Sequence, residues 1–374
     1  MYEDRKYKSM NFDWGDPGVT EILQLADNSI AVPALGGGQK SVTLARAGFL
    51  KKIRFYMKSV VNVSAYTSGS QKSPYGPLAA INNLSIKANG QIDLVNISGY
   101  GAAVYNEVQN RDGSVIARPL NISELNISDS LKLAQYDAIS ATGLKYALFP
   151  FEFNFALPMT IRGQVQEIGL WMLQNQAIDV NINANFNPLY AAVATNDAPW
   201  SGGTLTAALD TSSELQVERE LYDVPSDPKN FPRLDWAHQV IEYTQTFTGS
   251  FSRFNIPRSG LILRVIVINL DSSGNPVEYS DVTSLSWIYA ANRTPISRTG
   301  DKITAEYLAD YNRQPPKGAL VLDFYKWGEN GLKLVKDSDV LANLRLETKF
   351  ASTTTGTQKI IIDRLYPVTA ASVS

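Results

Sequence analysis

A two-residue alternation of apolar and polar side chains recurs along most of the chain, the period of a strand with one buried face. In Phe149-Pro150-Phe151-Glu152-Phe153-Asn154-Phe155 the phenylalanines share one face, and Glu152 and Asn154 the other. Ile178, Val180, Ile182 and Ala184 alternate with Asp179, Asn181 and Asn183, and Leu215-Gln216-Val217-Glu218 opens another such run. Leu44 to Val63 predicts a long strand, with Phe49, Ile53, Phe55 and Met57 set among Lys51, Lys52, Arg54 and Lys58. Clusters of Gly, Pro, Asn, Asp and Ser separate these runs, as turns require. Helical patterns are few. One runs from Tyr100 to Gln109, opened by Ser98-Gly99; a second runs from Asp301 to Tyr311, with Asp301 as the expected N-cap and Pro315-Pro316 blocking continuation. A short helical turn is expected within Ser123 to Lys132. Many strands with short helices in the connections predict a sandwich or jelly roll rather than a doubly wound sheet.

One plan occurs twice. Gly48-Phe49-Leu50 opens a strand that is followed by a loop, a strand from Ile81 to Lys87, the turn Asn89-Gly90 and the helix with Tyr100 and Tyr105. Gly260-Leu261-Ile262 opens a strand that is followed by the turn at Asp271, a strand from Leu285 to Ala290, a polar stretch through Arg298 and the helix with Tyr307 and Tyr311. Phe151-Glu152-Phe153 then corresponds to Leu322-Asp323-Phe324, and Ile178 to Ile182 corresponds to Leu344 to Glu347. The copies close alike, on Glu218-Arg219-Glu220-Leu221-Tyr222 and on Asp363-Arg364-Leu365-Tyr366. Between them Pro225, Pro228 and Pro232 form a stiff connector that keeps the halves close. The predicted organisation is an N-terminal arm over 1–20, a first jelly roll over 21–227 and a second over 228–374, each eight-stranded.

Composition narrows the function. Hydrophobic residues make up 44% and charged residues 19% of the 374, enough apolar surface for a packed core. Net charge is −2, which gives no overall attraction for nucleic acid; Arg5, Lys6 and Lys8 read as a short solvated arm. There is no cysteine and one histidine, His238, so disulfides and thiolate metal sites are excluded and imidazole chemistry has little to work with. His238, just before a predicted strand, is expected at a surface or an interface. No signal peptide and no transmembrane stretch are read in the sequence, so a cytoplasmic origin without secretion is expected.

The remaining candidate chemistry is weak. Gly36-Gly37-Gly38-Gln39-Lys40-Ser41 resembles the end of a phosphate loop but has Gln39 where glycine is needed, and reads as a turn before a strand. Asp271-Ser272-Ser273-Gly274-Asn275 lacks the later glutamate of a calcium loop and reads as a hairpin turn. Glu152 and Asp323 are the best carboxylate pair for glycoside hydrolysis, but the repeat puts them at equivalent places in separate rolls rather than across one cleft. Trp171, Trp200, Trp236, Trp287 and Trp327 could stack on sugars, and more often such residues fill cores and subunit contacts. No catalytic, metal-binding or cofactor-binding residue is expected.

The Gly48-Phe49-Leu50-Lys51-Lys52-Ile53 opening, the run Pro77 to Leu84, the Ser98-Gly99-Tyr100 helix start and the duplicated plan resemble the major capsid proteins of tailless, membrane-containing double-stranded DNA bacteriophages, the tectivirus-like lineage. The resemblance covers about residues 20 to 370 and rests on element order rather than on any single motif. It implies two jelly rolls in one chain and homotrimers whose six rolls form a pseudo-hexagonal capsomer of an icosahedral virion. It also implies contacts with neighbouring capsomers and with minor capsid and vertex proteins. The N-terminal arm would lie near an internal viral membrane, and the inserts Asn106 to Leu144 and Leu189 to Ser213 would form tower or intersubunit loops. No specific nucleic-acid contact and no enzymatic activity are implied. The competing expectations are a carbohydrate-binding or glycoside-processing β-sandwich protein and a virion spike or receptor-binding protein.

Overall fold

Alternation at these positions becomes sixteen principal elements in a computed structural model. It describes residues 21–368 apart from 26–29, 32–37, 46, 67–70, 73–77, 79–80, 110–142, 162–163, 174–178, 187–188, 192–199, 202–204, 210–211, 225–233, 258–259, 290–292, 326–335 and 338–343. The N-terminal arm, the proline connector, the turn expected within 123–132 and most of both predicted inserts lie outside the described residues.

The first half contains β1 (Glu21–Leu25), β2 (Gly38–Thr43), β3 (Phe49–Tyr66), β4 (Ile81–Ala88), β5 (Ile92–Ile97), α1 (Gly99–Gln109), β6 (Gly143–Asn154), β7 (Val180–Phe186) and β8 (Glu214–Tyr222). They pair antiparallel as β1-β8-β3-β6 and as β2-β7-β4-β5. Two four-stranded sheets wound in this order are one jelly roll, roll 1.

The second half contains β9 (Trp236–Asn255), β10 (Leu261–Asp271), β11 (Val282–Tyr289), β12 (Arg293–Arg298), α2 (Gly300–Tyr311), β13 (Ala319–Asp323) and β14 (Arg345–Pro367). β9 and β14 pair along their whole lengths, from Trp236↔Pro367 to Asn255↔Arg345, with a register shift between Gly249 and Phe251. At that bend the ribbon passes from one sheet to the other. On one side it joins β10 and β13, giving β9-β14-β10-β13; on the other it joins β11 and β12. This is the same jelly roll with its first two and last two strands each run together, roll 2. The polar stretch before Arg298 is therefore a strand, β12, whose Pro295 is tolerated because the strand lies at a sheet edge.

Glycine marks the repeat. Gly48 and Gly260 both have positive φ, +58° and +68°, and a Cβ there would lie 2.3 Å from the Tyr222 carbonyl oxygen and 1.9 Å from that of Leu365. Only glycine supplies this backbone in this space. Gly99 and Gly300 start the two helices, each against a carbonyl, of Leu78 and Tyr279 respectively. The helix tyrosines do not superpose: counted from these glycines, Tyr100 falls on Asp301. The N-cap of α2 is Thr299, not Asp301; its side chain accepts from the Lys302 amide, and Asp301 is the second residue of the helix.

Roll 1 is filled by Phe55, Phe151 and Phe153, with the first two rings stacked 5.0 Å apart. Roll 2 is filled by Val265, Val267, Leu320, Ile360 and Ile362 around Trp287 and Phe324, whose rings meet edge to face at 4.9 Å. The rolls share a sheet: β5 runs parallel to β9, with Val95 beside Val240 and Asn96 beside Ile241. The core of roll 1 continues through α1 onto the outer face of roll 2, where Ile266, Ile268, Val321 and Ile361 are buried.

Candidate functional site

The seam between the rolls concentrates the buried charge. Arg264 on β10 lies between Asp323 on β13 and Asp363 on β14 in the sheet register. Its Nε and Nη2 are 3.1 and 3.0 Å from Asp323 Oδ2, and its Nη1 is 3.6 Å from Asp363 Oδ2. Burial opposes the guanidinium charge, but the pull of Asp323 and Asp363 outweighs it and holds the Arg264 pKa above its ordinary value. The Tyr311 hydroxyl donates to Asp323, and that of Tyr105, from α1 of roll 1, donates to Asp363 at 3.4 Å. Burial, and then the Asp363 charge, pushes Tyr105 well above the usual phenol range.

His238 belongs to this cluster. It is 1% exposed, and it is inside β9 rather than before it. Its Nδ1 is 2.7 Å from the Asn154 carbonyl oxygen of roll 1, and its Nε2 is 2.5 Å from Asp363 of roll 2. A surface position is thereby corrected: the interface it occupies is the one between the two rolls.

Roll 2 also caps both ends of α1. Glu242 accepts from the Ser98 amide at 3.1 Å and from the Ser98 hydroxyl at 2.8 Å, and Lys359 reaches the same carboxylate at 3.3 Å. At the other end the Arg313 guanidinium donates to the carbonyls of Glu107 and Val108. A carboxylate at the helix N-terminus and a cation at its C-terminus both complement the helix dipole. Nearly all of α1, Gly99 to Asn106 and Val108, is buried.

A similar charge cluster lies in roll 1, on the water side and two residues further along its strand. Arg54 on β3 lies between Glu152 on β6 and Glu218 on β8, as Arg264 lies between its two aspartates. Arg54 Nε is 3.1 Å from Glu152, and its other nitrogens are 3.5 and 4.0 Å from Glu220 and Glu218. Lys52 adds contacts to Glu152 and Glu220, and Lys58 pairs with Glu214 at 3.3 Å. Here Arg54 is 29% exposed against 4% for Arg264. Glu152 and Asp323 are not at equivalent places: counted from Gly48 and Gly260, Lys52 matches Arg264, and Lys52 lies opposite Asn154 where Arg264 lies opposite Asp323, although an arginine holds each carboxylate in its own roll.

The other candidates resolve locally. Asp271 Oδ1 accepts from the amides of Ser273 and Asn275, both at 2.8 Å, and Gly274 has φ +78°, so the carboxylate closes its own hairpin turn. Gly38 to Ser41 are already in β2, and Gly36 and Gly37 lie outside the described residues. Trp287 and Trp171 are 0% and 5% exposed, and Trp236 is half-buried. The Trp200 side chain and Trp327 lie outside the described residues. Asn83, Asn96, Asn183 and Asn185 line a concavity on the outer face of roll 1 whose lining includes no aromatic side chain. The seam was not legible in the sequence: its only local signal, Arg and Asp inside strongly apolar strands, gains meaning once the other roll covers them.

No known family model matches the sequence, and no curated protein is detectably similar to it. Solved structures are similar in fold. The MCP of Sulfolobus Turreted Icosahedral Virus is 13% identical with a TM-score of 0.66, covering 93% of this chain and 97% of that one. The major capsid protein P2 of bacteriophage PM2 is 12% identical with a TM-score of 0.52, covering 94% and 99%. VP54 of PBCV-1 is 10% identical with a TM-score of 0.53, covering 93% of each chain. The chain has the double jelly-roll fold of these viral capsid proteins.

Proposed function

We propose that the chain is a major capsid protein, a structural subunit that self-associates as a homotrimer to form a pseudo-hexagonal capsomer of an icosahedral shell. The observation that carries this reading is the parallel joint between β5 and β9, which sets two complete jelly rolls side by side as one rigid building unit. Fold likeness over nearly the whole chain to capsid proteins of three different viruses supports it. Rolls over 21–227 and 228–374, with an arm over 1–20, are the matching division of the chain. The arm would reach neighbouring subunits or an internal membrane, the inserts after α1 and β7 would reach minor proteins or the particle exterior, and the virion would be the site of action. A non-enzymatic role fits the arginine-bound state of Glu152 and Asp323. The carbohydrate-binding alternative gains no support from the buried tryptophans, and a spike would not build sheets of capsomers.

Sedimentation of the purified chain tests the reading, together with electron microscopy of its assemblies. A homotrimer of hexagonal outline is expected, and a monomer at high concentration would refute it.

A further inference from the structure

His238 stands between two acceptors. Its Nδ1 faces the main-chain carbonyl of Asn154 at 2.7 Å, and its Nε2 faces Asp363 Oδ1 at 2.5 Å. A neutral imidazole has one N–H and one bare nitrogen, so it would serve one acceptor and set a lone pair against the other. A main-chain carbonyl has no proton to offer in return. Nor is this carbonyl free to turn away. Asn154 is held in β6 opposite Lys52, its side chain accepts from the Ala156 amide, and the Phe155 amide donates to the Lys51 carbonyl. Roll 1 closes on His238 at two further points. The Phe155 ring meets the imidazole edge to face at 6.4 Å, and Gly169, at φ +92°, comes so near that a Cβ there would lie 3.1 Å from that of His238.

The charges packed around the ring require the same state. Asp363 on β14 contacts His238, Arg264 on β10 and Tyr105 on α1. Asp323 on β13 contacts Arg264 and Tyr311 on α2. The two aspartates bring two negative charges and Arg264 brings one positive charge, and none of the three is more than 6% exposed. The tyrosines donate protons but add no cation. A second positive charge makes the cluster neutral, whereas without it one buried charge stays uncompensated.

We propose that His238 carries both ring protons in the folded chain, as an imidazolium that donates at once to the main chain of roll 1 and to Asp363 of roll 2, so that the joint between the rolls is held by a proton and weakens when it is removed. The unfolded imidazole gives up that proton near pH 6.5. Above this, folding draws one proton from water onto the ring and unfolding returns it. The contribution is therefore complete at lower pH and is lost as pH rises, and the unfolding equilibrium constant grows by up to about tenfold per pH unit while the folded ring keeps its proton. A histidine buried in the neutral state has the opposite sign, since it must be charged on unfolding and is stabilised by rising pH. The inference concerns the isolated chain and is independent of the capsid reading.

The composition gives a narrow test. With one histidine and no cysteine, the α-amino group is the only other group that ordinarily titrates between about pH 7 and 9. In wild-type chain carrying ¹⁵N in its single imidazole, both ring nitrogens should show attached protons at about pH 7.5, a unit above the ordinary imidazole midpoint. A bare ring nitrogen, recognised by its far downfield resonance, overturns the proposal whichever group holds the other proton. Urea unfolding in one oligomeric state should give a constant that rises with pH from about pH 7 to 8, and a constant that is flat or falls overturns the proposal as well. His238→Gln has no second donor to replace the ring and should remove that rise, apart from any share of the α-amino group; a folded variant with the full wild-type dependence overturns the assignment to His238. If the variant does not fold, the spectrum and the pH dependence of the wild type decide.

Discussion

Arg264→Ala and Arg54→Ala each remove an arginine from between two carboxylates, one in each roll, and burial predicts different outcomes. Removing the Arg264 guanidinium leaves Asp323 and Asp363, 3% and 6% exposed, facing each other without their cation. Breaking a buried ion pair from one side costs about 3–5 kcal/mol, because the remaining charge is neither hydrated nor compensated. Tyr311, Tyr105 and His238 still contact the two carboxylates, so the lower end, about 3 kcal/mol, is expected. Arg54 is 29% exposed, and Lys52 remains 3.4 Å from Glu152. Surface pairs of this kind contribute about 0–1 kcal/mol, so Arg54→Ala should shift stability by about 0.5 kcal/mol. Urea unfolding of both variants and the wild type, in the same oligomeric state, measures the difference. Repeating it near 1 M salt, where the Debye length is about 3 Å, should erase the Arg54 effect and spare that of Arg264. Losses within about 1 kcal/mol of each other, or an Arg264 loss that salt removes, would refute the argument that the seam excludes water.

Two further perturbations act on single features. Burial raises the pKa of Tyr105, and likewise those of Tyr279 and Tyr307. A raised phenol stabilises the fold fully below its unfolded value near pH 10 and loses that contribution as pH climbs, at about 1.4 kcal/mol per pH unit for Tyr105. Phenolate absorbance should therefore show these three ionising only with unfolding; reversible ionisation of all 18 tyrosines near pH 10 in the folded chain would contradict it. Gly260→Ala combines a φ of +68° with a Cβ 1.9 Å from a carbonyl oxygen, whereas Gly90→Ala has nothing within 4 Å at φ +67°. The first should lower stability by at least about 2 kcal/mol and the second by about 1 kcal/mol, and equal thermal shifts would sink the close-approach account.

The division between what the sequence disclosed and what it hid follows the seam. Where one face meets water, alternation announced the strand: β6 buries Phe151 and Phe153 and leaves Glu152 half-buried, and β7 does the same with Val180, Ile182 and Ala184. Where the other roll covers the second face, the signal disappears. β10 is buried from Ile262 to Leu270, so its Arg264 looked like a break in an apolar run rather than the centre of a triad. β5 escaped notice because Leu94 and Val95 are buried in succession, one toward each side. β12 escaped because an edge strand with a proline has little reason to look like one. The opening glycines Gly48 and Gly260 were readable because they are backbone requirements, met in each roll separately; the closing Leu221-Tyr222 and Leu365-Tyr366 are offset by one place, since Tyr222 and Leu365 are the residues that face those glycines.

The unbroken ribbon of β9 and β14 gives the two rolls unequal tolerance for added sequence. In roll 2 the chain passes from one sheet to the other without leaving the ladder, so a peptide inserted at the bend would have to part a strand pair that runs from Trp236↔Pro367 to Asn255↔Arg345. In roll 1 the corresponding strands are separate: β1 ends at Leu25 before β2 begins at Gly38, and β7 ends at Phe186 before β8 begins at Glu214. Foreign epitopes or binding modules meant for display therefore belong between β7 and β8, clear of Leu189–Ala191 and Leu205–Leu209, which pair with each other and, through the second, with β3. The matching position in roll 2 is closed to such engineering.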